Sequence, residues 1–155
     1  MGLHVSSSQL DTGTALIDLH GGSMSTRFVY GNESNLMVAT RSAGYHSKPH
    51  RHDCEQLNYL IDGELWIFVE QEGYLLKPGD FLRIPRNVVH WAWNRGKGAC
   101  TLAEVHTPVL DPKSRKGSYG LFAPGETPKV NVTPPTDVVE YGYAAVERKI
   151  LGSAL

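Results

Sequence analysis

The chain has 155 residues, a formal net charge of −1, and 41% hydrophobic against 20% charged residues, the profile of one soluble globular domain. That balance, with no basic run interleaved by aromatics, carries no nucleic-acid signature. No apolar run approaches bilayer length and the first residues form no signal-peptide core, so neither membrane insertion nor secretion is expected.

Proline and glycine are frequent, 9 and 16, with β-branched and aromatic residues between them. This predicts many short strands joined by tight turns. Residues 1–13 are polar and Ser-rich and read as a flexible arm. Strands are predicted at Thr14–Leu19, Ser25–Tyr30 and Asn35–Ser42. The apolar run Leu36-Met37-Val38-Ala39 gives the third the look of a buried strand. Gln56–Ile61 and Glu64–Glu70 flank Asp62-Gly63, a strong hairpin signal. Further strands follow at Tyr74–Leu76, Phe81–Ile84, Val88–Asn94 and Ala99–Thr107, separated by turns at Glu72-Gly73, Pro78-Gly79, Pro85-Arg86-Asn87 and Gly96-Lys97-Gly98. Strands at roughly ten-residue spacing argue for a sandwich or barrel. Residues 108–135 are rich in Pro, Gly, Lys and Ser and read as a long loop. Asp137 with Glu140 resembles a capping box, and Val139, Tyr143, Val146 and Ile150 follow at helical spacing. An added edge strand is the competing reading. The two cysteines, Cys54 and Cys100, match no disulfide or zinc-knuckle spacing and read as reduced thiols of a cytoplasmic protein.

His50 and His52 share one face of an extended strand. With a carboxamide or carboxylate four residues on, and a third imidazole such as His90 from elsewhere, the pair makes a metal-ligand arrangement. Two surface histidines in a polar loop are the alternative. By the same alternation Gln56 and Asn58 share a face, opposite to Glu55 and Tyr59. A register slip of one residue would bring Glu55 in instead. Cys54 reads as a small turn filler beside this pair, and His46 as a loop histidine. Trp91 and Trp93 point away from His90, toward another sheet or subunit.

Two segments resemble the cupin family. Gly44, His50, His52, Gln56 and Gly63 follow its first motif, with Gln in place of Glu. Gly79, Pro85, Asn87, His90 and Asn94 follow its second, with Asn in place of a Gly. The resemblance implies an all-β jelly-roll barrel over 14–107 with a short C-terminal extension, 108–155. It also implies one divalent transition metal (Fe, Mn, Ni, Zn or Cu) held by His50, His52, Gln56 and His90. With no anionic ligand the ion keeps its full charge and is a stronger Lewis acid.

Alternation places Leu102, Glu104 and His106 on one face. If inward, Glu104 and His106 form a proton-transfer site beside the metal. Asn58 is a candidate pocket residue. Arg41, Arg83 and Arg86 are candidates to receive a substrate carboxylate, although a solvated Arg is the plain reading of each. The closest look is to the small cupins of pectin degradation that ketonise unsaturated uronates. Those carry an acidic residue at the position of Glu104, an aromatic where this chain has His106, and an Arg where it has Leu110. Cupin hydroxynitrile lyases are similar in ligand set. The expectation is a metal-dependent isomerase or lyase acting on a small carbonyl, enol or sugar-acid-like molecule, built as a homodimer. An Fe(II)-dependent dioxygenase and a non-catalytic ligand-binding cupin are the alternatives.

Overall fold

The computed structural model describes residues 3–14, 19–110, 118–121, 132–133 and 136–152. After a short 3-10 turn at Ser7–Gln9 come β1 (Gly13–Thr14), β2 (Met24–Tyr30), β3 (Asn35–Arg41), β4 (His50–Arg51), β5 (Glu55–Asp62), β6 (Leu65–Val69) and β7 (Glu72–Leu76). Then follow β8 (Phe81–Ile84), β9 (His90–Trp93), β10 (Cys100–Thr107), β11 (Val109–Leu110), β12 (Ser118–Gly120), β13 (Val132–Thr133), β14 (Asp137–Val138) and one helix, α1 (Tyr143–Leu151). The rest of the strand expected at 14–19 lies outside the described residues.

The larger sheet has the order β1-β2-β3-β10-β5-β8, antiparallel except that β12 adds parallel to β2. The smaller has the order β14-β4-β9-β6-β7. Leu60, Ile84 and Leu102 of the larger sheet pack against Leu65, Ile67 and Leu76 of the smaller, which makes the expected jelly roll. Among the described residues the two sheets share no strand pair, so they face one another without closing into a hydrogen-bonded barrel.

Strict alternation on β3 and β5 buries one face and bares the other. The run Leu36–Ala39 is therefore half-buried: Met37 and Ala39 face in, while Leu36 and Val38 face out. Leu57, Tyr59, Ile61 and Phe81 continue that apolar outer face. No helix among the described residues is long and apolar enough to cross a membrane.

The C-terminal segment supplies both an edge strand and a helix. Asp137 pairs with Arg51 of β4, and Val138 with His50. The helix therefore begins at Tyr143, after Gly142, and the capping box expected at Asp137 does not form. The Asp137 carboxylate accepts instead from Arg51 Nε at 3.1 Å. Val146 of α1 covers Trp91 and Phe68. The buried Glu147 Oε1 accepts from Trp91 Nε1 at 2.8 Å and lies 2.7 Å from His46 Nε2. Thus Trp91 does point away from His90, and the chain's own helix covers it.

Two turn positions explain motif residues. Gly63 has φ 79°, and a Cβ there would lie 2.7 Å from the Ala99 carbonyl. Asn87 has φ 61°; the family's Gly is replaced by the side chain that tolerates this region best. Gly63→Ala is expected to lower the unfolding free energy by about 1–3 kcal/mol. Asn87→Gly should stay within about 0.5 kcal/mol of the parent. Urea unfolding of both variants checks the pair.

Candidate metal centre

Strand β4 is two residues long and is held between β14 and β9. Its His50 stands directly opposite His90 of β9, which brings the rings to 4.4 Å between centroids. His52, two residues further, brings its ring to 4.8 Å from His90. One ligand atom from each of the three lies within 4.8 Å of the others. Ligands opposed across one ion sit roughly 4.2 Å apart, so small ring movements close the trio.

The back of each ring is anchored. His50 Nδ1 is 2.6 Å from the Lys48 carbonyl and His90 Nδ1 is 2.9 Å from the Val88 carbonyl. A carbonyl only accepts, so both Nδ1 atoms carry hydrogen and both Nε2 lone pairs are left to the site. His52 Nδ1 lies 3.0 Å from Cys54 Sγ, so Cys54 braces a ring from behind. His90 Nε2 is buried with no hydrogen-bond partner among the described residues. A buried unpaired acceptor is costly, and a divalent cation would satisfy it. Burial, then the neighbouring His50 and His52, hold the His90 pKa well below its ordinary value, with the Val88 contact opposing. His90 is therefore neutral, the form that binds metal.

The facing wall comes from the larger sheet. There His106 is opposite Gln56, and Glu104 opposite Asn58; all four side chains are buried. Asn58 Nδ2 donates to the Leu82 carbonyl at 3.1 Å, which turns Asn58 Oδ1 toward Gln56 Nε2 at 2.7 Å. Gln56 Nε2 also donates to Glu104 Oε2 at 3.0 Å. With its nitrogen held by two acceptors, Gln56 keeps Oε1 as its remaining ligand atom. Glu55 faces outward and accepts from Arg83 Nε at 2.5 Å.

A second chain orients His106. The Leu110 N–H donates to Asn35 Oδ1 at 2.9 Å, so Asn35 Nδ2 is the donor to His106 Nδ1, also at 2.9 Å. Neutral His106 therefore carries its hydrogen on Nε2, 3.7 Å from Glu104 Oε2. Its ring meets His52 edge-on, 5.4 Å between centroids.

Of the three arginines considered as carboxylate receivers, Arg83 and Arg86 are exposed and paired with Glu55 and Asp53. Arg41 is buried and donates through Nη2 to Glu104 Oε1. Burial pulls its pKa down, but Glu104 and smaller contributions from Tyr45 and Cys100 outweigh this and hold it above the ordinary value. His46 stands apart from the trio, against Glu147.

Between the two walls lies a cavity of about 560 Å³ counted to its open mouth. Its lining includes residues that strand alternation did not single out: Met24, Phe28, Met37 and Tyr45. Inward parity on β2 and β3 was the available signal for the first three.

A jelly roll with three convergent histidines on one wall and Gln56 and Glu104 on the other is an architecture that could hold a metal ion. Residues 37–106 match the family model described as Cupin domain, which identifies this part of the chain as a cupin domain. KdgF from Halomonas sp. is similar at 20% identity over 72% of this chain and 97% of its own, with a TM-score of 0.60. An RmlC-like cupin from Shewanella frigidimarina is similar at 20% identity over 70% and 92%, TM-score 0.58. The polyketide cyclase RemF from Streptomyces resistomycificus is similar at 16% identity over 96% and 93%, TM-score 0.62. At these identities the likeness extends to the fold. No curated protein matches the chain.

Wild-type protein is expected to retain about one divalent ion per chain after dialysis, and His52→Ala or His90→Ala to retain none. Elemental analysis with a circular-dichroism control checks this.

The metal-free protein should also lose stability in acid. Because the folded-state pKa of His90 is depressed, the unfolded chain takes up the proton first, near pH 6.5. The His90 contribution is complete above that pH and is lost as pH falls from there through the lower folded-state value. Melting temperatures of the metal-free protein from pH 7.5 to 5 should fall, and more steeply than those of His90→Gln.

Proposed function

We propose that this cupin is a metal-dependent enzyme that transfers protons on a small oxygenated molecule, in an isomerase or lyase reaction. His50, His52, His90 and Gln56 would hold one divalent transition metal through three Nε2 atoms and one amide oxygen. When bound, such an ion supplies Lewis acidity to a substrate carbonyl or hydroxyl.

The observation that carries this reading is the pairing of Glu104 with His106. Both Glu104 oxygens accept, one from Arg41 and the other from Gln56. His106, with Nδ1 accepting from Asn35, presents a hydrogen at Nε2. A carboxylate acceptor and an imidazole N–H donor therefore stand 3.7 Å apart, beyond direct hydrogen bonding and beside the histidine trio. In the proposed mechanism Glu104 takes the substrate proton and returns it at the other position, while the His106 Nε2–H donates a hydrogen bond to the substrate oxygen on which charge develops. Asn35 and Arg41 hold the two groups in these opposite roles. Asn58 acts one step back, by turning the Gln56 amide. The similarity in fold to a polyketide cyclase over nearly the whole chain supports the carbonyl and enol side of this class, since polyketides are enolisable.

Deuterium uptake from D₂O into a panel of enolisable carbonyl compounds, followed by NMR, tests the reading. Exchange should require metal and run at the same rate with and without O₂. Glu104→Gln should slow it by about 10²–10⁴-fold with metal content unchanged, and His106→Gln should slow it with Glu104 intact. An absolute need for O₂ would make the protein a dioxygenase. Saturable binding without exchange would make it a binding cupin.

A further inference from the structure

Arg41 is the last residue of β3 and lines the cavity. It stands opposite Met24 of β2 and Cys100 of β10, while Glu104 stands opposite Met37, further back along the same strand. The inward position between Arg41 and Met37 is Ala39, whose small side chain lets the guanidinium run back to Glu104. Asn94 Nδ2 donates to the Arg41 carbonyl at 3.2 Å, which anchors the backbone, and the Tyr45 ring centre lies 5.8 Å from Cζ.

This buried side chain is only partly used. Nη2 donates to Glu104, whereas Nε and Nη1 are buried with no hydrogen-bond partner among the described residues. Glu104 takes one of the two Nη2 hydrogens. The other lies on an edge of the guanidinium shared with Nε or with Nη1. Both of those nitrogens are unpaired, so on either edge a complete two-donor fork remains. Such a planar fork matches a carboxylate bidentately, and leaving buried donors unpaired is costly.

The same lining holds the converse demand. His90 Nε2 is a buried acceptor that calls for a cation, and the Arg41 donors call for an anion. Glu104 links the two ends, with Oε1 at Arg41 and Oε2 3.0 Å from Gln56 Nε2. A single carboxylate spans that gap, so a molecule of a few carbon atoms can reach from one end to the other. Charge agrees with this. Arg41 and Glu104 cancel, and a divalent ion at the histidines would leave a positive excess that a monoanionic ligand lowers.

We propose that Arg41 receives the carboxylate of a short oxo acid whose carbonyl oxygen faces the histidine end. Glu104 bridges the same two ends, so the carbons between carboxylate and carbonyl run past its oxygens, where a C–H must lie to lose its proton. The proposal rests on the metal and proton-transfer reading given above and names its substrate class.

Calorimetric titration of the zinc-loaded protein with levulinate and methyl levulinate tests it. The two probes share the ketone and differ in the charge at the far end. Levulinate should bind at least about ten-fold tighter. Arg41→Lys keeps a cation beside Glu104 but loses the fork, and should weaken levulinate several-fold, leaving methyl levulinate affinity and zinc content unchanged. Arg41→Met combined with Glu104→Gln removes both buried charges together and should abolish the preference, whereas Glu104→Gln alone should keep it. The comparison of the two probes uses the unaltered protein and so does not depend on a variant folding. Equal affinities there would overturn the proposal and leave the catalytic reading standing. A loss of both probes alike in Arg41→Lys would also overturn it, making Arg41 a structural partner of Glu104. So would a preference that survives in the double variant, which would put the carboxylate on zinc. Levulinate preferred through Arg41 but never exchanging deuterium would support the anion seat and sink the catalytic reading instead.

Discussion

The site depends on one constraint: the outer nitrogens of the histidine rings are tied down. Lys48 and Val88 hold two Nδ1 atoms through backbone carbonyls, and Cys54 sits behind the third. Such ties select the tautomer and the ring orientation before any ion arrives. They also account for the buried Nε2 of His90, unpartnered among the described residues, an arrangement that would be destabilising in a site with no cation to fill it. The second wall obeys the same logic with amides. Leu82 turns Asn58, Asn58 turns Gln56, and Leu110 turns Asn35, which sets the hydrogen on His106. Backbone groups thus dictate the protonation pattern of side chains that never touch them.

Charge is distributed with similar economy. The histidines and Gln56 would be neutral ligands, and among the described lining residues the buried Arg41 pairs with Glu104 through Nη2 while its Nε and Nη1 have no hydrogen-bond partner. A metal here would be uncompensated by protein ligands, which favours a substrate that becomes anionic as it reacts.

The histidine motif was legible because strand parity is a strict rule. His50, His52, Gln56 and Asn58 fall on the inner face as their spacing requires, as do Glu104 and His106, while Glu55 and Tyr59 fall outside. The Asn at position 87, a departure from the family pattern, has its reason in a positive φ that Asn accepts. Parity does not report which strand lies alongside, and there the reading stopped. A solvated side chain was the plain reading of Arg41 because its buried partner, Glu104, lies 63 positions away. The apolar run in β3 suggested burial on both faces, yet Leu36 and Val38 are on the outer one. The capping box at Asp137 was a local signal overridden by a tertiary one, the pairing of Val138 with His50. Nothing near Trp91 or His46 in the chain hints at Glu147, which closes over both.

That last contact has a bearing on the order in which the molecule comes together. His46 and Glu147 are separated by 101 positions, and closing so long a loop is entropically costly before the contact rewards it. The terminal helix is therefore suited to dock late onto a sandwich already formed, and to peel away early when the protein breathes. Its departure would lay bare the indole of Trp91, on the reverse of the strand that carries His90. The side chain that could hold an ion and the seat of the helix are opposite sides of a single strand.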